Sequence, residues 1–343
     1  MNAQVEKVVL ANPRGFWAGV EMAIKALARM VERFEPPVYC YHDIVHNDTV
    51  VDLFERAGVV FVDTVEDVPH GAPLMLSAHG TAPEVVAAAR ERAGVVVDAA
   101  CPLVAKVHHE LKRRVAEGFA VVYVGHAGHD EAVGTVAVAP EAVQLVETRE
   151  DVDALSATDR PVALLSQTTL SFDDWTDVYD AVRARFPDVW TPSRSDLCFA
   201  TTNRQRALRA LVERVDAVVV IGSATSSNTN ALERVARESG CDQVIRIDTA
   251  GELPAELSGT VGVTAGASVP ESIVAEVVER LAPRRGVEVL TVTAEDEYFP
   301  LPRELRAMLA AADLAADRRT SAGSALARLA ERVGPSETLD YSP

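Results

Sequence analysis

The chain has 343 residues, with 33 basic and 51 acidic side chains, a net charge of −18 and four cysteines. Its length suggests two or three domains. A composition of 48% hydrophobic and 24% charged residues is that of an ordinary globular protein. The acidic balance argues against nucleic acid or an anionic membrane as a general partner, since both need a basic field. A small anion would have to be held by a local site working against the global charge.

The first strand signal, residues 8–11, runs through Asn12-Pro13-Arg14-Gly15 into a helical pattern at 20–31. Cys40 and His42 follow in a predicted strand. Residues 74–76 lead through Ser77-Ala78-His79-Gly80 into a helix at 83–92, and 120–124 lead into Gly125-His126-Ala127-Gly128-His129. Residues 162–165 precede Ser166-Gln167-Thr168-Thr169 and a helix from about Phe172. Residues 217–221 precede a Gly222 to Asn228 loop and a helix at 229–238, and 261–263 precede Thr264-Ala265-Gly266-Ala267-Ser268 and a helix at 271–281. Short β-rich runs alternating with helical patterns predict an α/β protein with parallel sheets. From Pro300 the chain is rich in Ala, Leu and Arg without strand signals. This predicts a C-terminal helical tail, packed on the body or acting as a lid, that loosens over 336–343.

Cys40, Cys101, Cys198 and Cys241 form no C-x-x-C pair, which excludes a zinc ribbon or a thioredoxin-type motif. Four cysteines in a chain this long make no disulfide scaffold. No signal peptide is evident in residues 1–12, and no apolar run of about 18 residues predicts a membrane span. The expected address is the cytoplasm.

In open α/β sheets, ligands sit beyond the carboxyl ends of the strands. The loops there are Gly, Ser, Thr, Asn and His with few carboxylates, and several open into helices with unpaired, partially positive N–H groups. Each alone reads as a helix cap. Several together predict a site for a small phosphorylated or diphosphate ligand. No G-x-x-x-x-G-K-[ST] is present and no G-x-G-x-x-G follows a strand, so a nucleotide phosphate loop is not expected.

The same loops carry a resemblance. Asn12-Pro13-Arg14-Gly15-Phe16-Trp17-Ala18-Gly19-Val20 resembles the opening motif of the 4-hydroxy-3-methylbut-2-enyl diphosphate reductases, the LytB/IspH family. So, in order, do Ile44-Val45-His46-Asn47, Ser77-Ala78-His79-Gly80, Asp98-Ala99-Ala100-Cys101-Pro102, Gly125 to Glu131, Ser166 to Ser171, Cys198 to Gln205, Gly222-Ser223 with Ser226-Ser227-Asn228, and Thr264 to Ser268. The resemblance covers about residues 8–292. It implies three similar α/β units in a trefoil-like arrangement around a central cavity: residues 19–101, residues 102–198, and 1–18 with 199–296, followed by a C-terminal extension at 297–343. It further implies diphosphate binding by His46, His79, His129, Ser226, Ser227, Asn228 and Ser268. Glu131 would deliver a proton, and Thr168 would order the substrate hydroxyl.

One position departs from the pattern. The family holds a [4Fe–4S] cluster on three cysteines. Two survive as Cys101 and Cys198, and Trp17 stands at the third. Ala100 also replaces a common Thr. Indole offers only an N–H donor, whereas such clusters depend on thiolates. The expectation is therefore no cofactor and no metal. The expected chemistry is non-redox, on an allylic C5 diphosphate such as dimethylallyl diphosphate: prenyl transfer to an aromatic acceptor, or elimination or hydration, within specialised metabolism. Trp17 would stabilise an allylic cation, and Glu131 would take a proton with Thr168 beside it. Two alternatives stand: the reductase with a remodelled cluster on Cys101 and Cys198 and an electron-donor protein, or a catalytically dead diphosphate binder. Asp173-Asp174-Trp175-Thr176-Asp177 fits a D-D-x-x-D metal motif, but acidic residues in a first helical turn are common. His42, His70, His126, Arg14, Asn203 and Arg204 are read as surface or loop-ordering residues.

Overall fold

A computed structural model describes residues 4–193, 195–310, 313, 315 and 320–333. The expected loose segment at 336–343 lies outside them. The chain is an α/β protein with three parallel sheets. The largest orders its strands β10-β9-β11-β1-β12. These are β1 (Val5–Asn12), β9 (Ala217–Ile221), β10 (Val244–Ile247), β11 (Gly259–Ala265) and β12 (Val287–Thr291). A four-stranded sheet orders β3-β2-β4-β5, from β2 (Val38–Tyr41), β3 (Val59–Val62), β4 (Pro73–Leu76) and β5 (Val95–Asp98). A three-stranded sheet orders β7-β6-β8, from β6 (Ala120–Val124), β7 (Val143–Val146) and β8 (Val162–Ser166).

The central strands are buried on both faces and their sequences say why. β6 (Ala-Val-Val-Tyr-Val) and β9 (Ala-Val-Val-Val-Ile) are continuous apolar runs, buried throughout, as strands covered by helices on both sides must be. The first strand pairs at its two edges with β11 and β12. The chain's start therefore completes a sheet whose other strands begin at Ala217.

Helices follow the strands. α1 (Ala18–Arg33), α2 (Asp48–Arg56), α3 (Pro83–Arg92), α4 (Pro102–Ala116), α5 (Asp130–Val136) and α6 (Arg149–Asp153) lie in the first half. α7 (Phe172–Arg185), α8 (Phe199–Val212), α9 (Ser227–Glu238) and α10 (Glu271–Leu281) lie in the second. The tail supplies α11 (Arg303–Met308) and α12 (Ala322–Val333). Ala322, Ala325, Leu326 and Leu329 fall at helical spacing. They are buried with Leu301 and Leu305 in the core formed by α1, β2 and β4. That apolar stripe docks α12 on α1 and α2. No helix among the described residues is long and apolar enough to cross a membrane.

Candidate functional site

The strand-end loops of all three sheets meet at one cavity of about 100 Å³. One water needs only about 10–15 Å³ on that measure, so the space is ligand-sized. The four-stranded sheet sends His46 and His79 to its wall, the three-stranded sheet His129, Glu131 and Thr168, and the largest sheet Trp17, Ser226, Ser227, Asn228 and Ser268. Cys101 and Cys198 line it as well. Every site residue expected from the sequence is at this one place.

The histidines form a cradle. The rings of His46 and His79 stack with centroids 4.1 Å apart, and His129 meets His46 edge-on at 5.4 Å. Burial lowers the pKa of all three: His79 well below the usual imidazole value, and His129 to about 4. Burial thus disfavours the charged form of each ring, opposed in part by the nearby Asp130 carboxylate. Nε2 of His46, Nε2 of His79 and both amide atoms of Asn228 are buried without a hydrogen-bond partner in the chain. An orphaned buried polar atom costs about 1–3 kcal/mol, so several on one cavity wall mark a place shaped for a polar ligand.

The helix ends supply the rest. Ser226 caps α9, its Oγ accepting from the Thr229 N–H at 3.3 Å. Ser227 Oγ lies 3.2 Å from Thr169 Oγ1 and 3.4 Å from His126 Nδ1, and Gln167 Nε2 donates to it at 3.4 Å. Ser268 Oγ donates to the His46 carbonyl at 3.0 Å and ties two sheets together at the cradle.

Glu131 is 2% exposed. Its carboxylate accepts from the Thr168 N–H at 2.7 Å and from the Thr168 hydroxyl at 2.9 Å. Burial nevertheless pushes its pKa up to about 7, against the pull of those bonds. Such a carboxyl exchanges a proton near neutrality, as a general acid must.

Cys101 and Cys198 are the cap residues of α4 and α8. Burial raises their pKa to about 11 and about 12, opposed by backbone N–H groups of the first helical turns. A Cβ on Gly19 would lie 2.6 Å from Cys101 Sγ, so only glycine lets α1 approach the thiol this closely. Trp17, 5% exposed, caps α1. Its ring packs with Ala18, Cys198, Ala200, Leu103, Ala267 and Phe299, and its Nε1 has no partner. Cys40 and Cys241 belong to two other cores. A cluster held by three thiolates therefore does not fit the residues present: the cavity wall supplies two thiols and an indole.

Several residues sequence reading passed over serve this site. His42 Nδ1 lies 3.0 Å from Asp130 Oδ1. Burial alone would raise the Asp130 carboxyl, yet His42 and the imidazoles hold it at about 2. Arg204, expected at a helix surface, is fully buried. It donates to the carbonyls of Gly15 and Phe16, the loop leading into Trp17, and pairs with Glu295 at 3.2 Å. His108 sits under the Ser-Ala-His-Gly loop, 3.2 Å from where a Gly80 Cβ would be. The D-D-x-x-D carboxylates are taken by arginines: Asp173 by Arg209, Asp174 by Arg234, and Asp177 by Arg149 at 3.5 Å.

Comparison with known proteins agrees with this geometry. The LytB protein family model matches residues 8–282. A 4-hydroxy-3-methylbut-2-enyl diphosphate reductase of Rhodopirellula baltica is 45% identical over 310 residues, covering 89% of this chain and 97% of the relative. One of Mycolicibacterium paratuberculosis is 45% identical over 313 residues, covering 89% and 94%. The solved structure of the E-1-hydroxy-2-methyl-but-2-enyl-4-diphosphate reductase of Plasmodium falciparum superposes with a TM-score of 0.85 at 30% identity, covering 93% of this chain and all of that one.

These relatives correct the expected chemistry. A cluster-free prenyltransferase or lyase with an aromatic acceptor is overturned by near-full-length relatives named as reductases. The expectation of no cofactor falls with it, since that family's reductases carry a [4Fe–4S] cluster. Trp17 takes one wall and leaves both remaining thiols on the cavity. By its family model, by its relatives and by its fold, the chain belongs to the LytB family.

Proposed function

We propose that the chain reduces an allylic C5 diphosphate, the 4-hydroxy-3-methylbut-2-enyl diphosphate for which its relatives are named, with an iron–sulfur centre remodelled around Cys101 and Cys198. One observation carries this reading. The unpartnered polar atoms of His46, His79 and Asn228 share a cavity with the Glu131–Thr168 pair and both thiols.

In this reading His46, His79, His129, Ser226, Ser227, Asn228 and Ser268 bind the diphosphate. Its negative charge draws protons onto the buried imidazoles, turning neutral donors into charged ones, and hydrogen bonds to charged groups are the stronger kind. Glu131 gives a proton to the departing hydroxyl, and Thr168 fixes the carboxyl and orders that hydroxyl. Loss of the hydroxyl as water consumes two electrons and two protons, so an electron-donor protein is a partner. Trp17, backed by Phe299, walls the apolar end. The three units at 19–101, 102–198 and 1–18 with 199–296 each lend loops to the site, and 297–343 is an added extension. A cytoplasmic address belongs to the same reading, since a reducing compartment keeps the two thiols available.

The test is anaerobic purification with iron and sulfide, followed by turnover of the named diphosphate with a reduced viologen dye. Formation of the deoxygenated C5 diphosphate in proportion to bound iron is expected. A chain that binds no iron or sulfide, or an iron-loaded chain that returns the substrate intact, would overturn the reading.

A further inference from the structure

We propose that the imidazole cradle is also a metal site: His46, His79 and Asp130 bind one divalent transition cation, with zinc as the type case. One potential ligand atom from each of the three lies within 4.8 Å of the other two. The stacked rings of His46 and His79, 4.1 Å apart and inclined by 18°, run nearly parallel. Their Nε2 atoms are buried and have no partner in the chain. Two imidazoles and a carboxylate make a donor set that suits zinc or cobalt, whereas magnesium and calcium prefer oxygen alone. Ligand bonds of about 2.0–2.2 Å around a tetrahedral ion put donors roughly 3.4 Å apart, so the donors must close up by about an ångström and the two rings turn out of their stack to bring both lone pairs onto one ion.

The surroundings match what such a site needs. Ligating carboxylates are usually held by an outer hydrogen bond, and His42 Nδ1 sits 3.0 Å from Asp130 Oδ1. Three protein ligands leave a fourth position for water or a substrate oxygen. Of the three ligands, His46 and His79 line the cavity. The cation uses the same imidazoles that the diphosphate would engage, and the two compete. The proposal needs neither iron nor turnover and is independent of the reductase reading.

The test uses the full chain carrying Cys101→Ser and Cys198→Ser, which removes thiol ligands and any iron–sulfur centre. This protein, stripped with a chelator, is titrated with Co²⁺ alone and followed by visible absorption and calorimetry. One ion per chain without a sulfur-to-cobalt charge-transfer band is expected, with binding weakened roughly tenfold or more by Asp130→Asn and by His79→Ala. The isosteric Asp130→Asn keeps the test valid where truncating a histidine unfolds the chain. Absence of binding in the parent, or equal binding in Asp130→Asn and a folded His79→Ala, would overturn the proposal. Binding seen only when the cysteines are restored would do the same.

Discussion

The indole of Trp17 meets the ring of Phe299 edge-on, with centroids 6.2 Å apart and planes at 89°. The segment before α11 thus reaches back to the position where the family places a third cysteine. Trp17→Cys exchanges that ring for a thiol beside Cys101 and Cys198. Anaerobically reconstituted Trp17→Cys should hold more iron and sulfide per chain than the parent and show stronger visible absorption. Equal iron content in both would mean that this position no longer governs the centre.

Glu131 sets a pH dependence. If its carboxyl donates a proton, the parent's turnover should decline as pH rises through about 7, where that proton is lost. Glu131→Gln should lower kcat by roughly 10²–10⁴-fold, leave KM little changed and flatten that limb.

The same group affects stability with a definite sign. Its pKa is about 7 when folded and roughly 4.3 in an unfolded chain. Between those values the folded chain holds a proton that the unfolded chain has lost. Stability therefore falls as pH rises through that window. Glu131→Gln lacks this loss, so its melting temperature should gain on the parent's between about pH 4.3 and 7. A constant difference across the window would show that the shift is absent.

The cradle should be separable from the proton donor. His79→Ala removes one partner of a charged ligand, worth about 1.5–3 kcal/mol. Calorimetry with inorganic diphosphate should show binding weakened about tenfold to a hundredfold, with Glu131→Gln close to the parent.

Arg204 holds the approach to Trp17. Its guanidinium is buried and bonded to the Gly15 and Phe16 carbonyls and to Glu295. Arg204→Ala leaves those carbonyls without their donor and a mostly buried carboxylate with the Asn203 amide in place of its charged partner. Breaking a buried pair costs about 3–5 kcal/mol, so chemical denaturation should show a loss of that order. A loss within 0.5 kcal/mol, the range of an ordinary surface substitution, would show the clamp to be dispensable.

The parallel sheets and the strand-end position of the site were legible because both rest on local patterns. Apolar runs such as 217–221 and the polar loops after them each carry their signal within a dozen residues. The pairs that organise the site are not local. His42 and Asp130 lie 88 positions apart, and Arg204 and Glu295 lie 91 apart. Neither partner alone differs from a surface residue in sequence. The chemistry was misjudged at Trp17 for a related reason. Its side chain is accommodated by Leu103, Ala267 and Phe299, drawn from three separate segments, so its bulk could be lodged in a wall. The tail's role was open in sequence, and the buried stripe from Ala322 to Leu329 places α12 against α1.

The placement of β1 between β11 and β12 has a consequence for the nascent chain. The first strand is synthesised well before its neighbours, which begin at Gly259 and Val287. At about 5–20 residues per second, it waits on the order of ten seconds or more without its edges covered. The loop carrying Trp17 hangs from that strand, so the wall it forms is among the last parts assembled. A circular permutant that moves β1 to follow β12 would remove that delay, and with it a window in which a bare apolar strand is open to aggregation or chaperone capture.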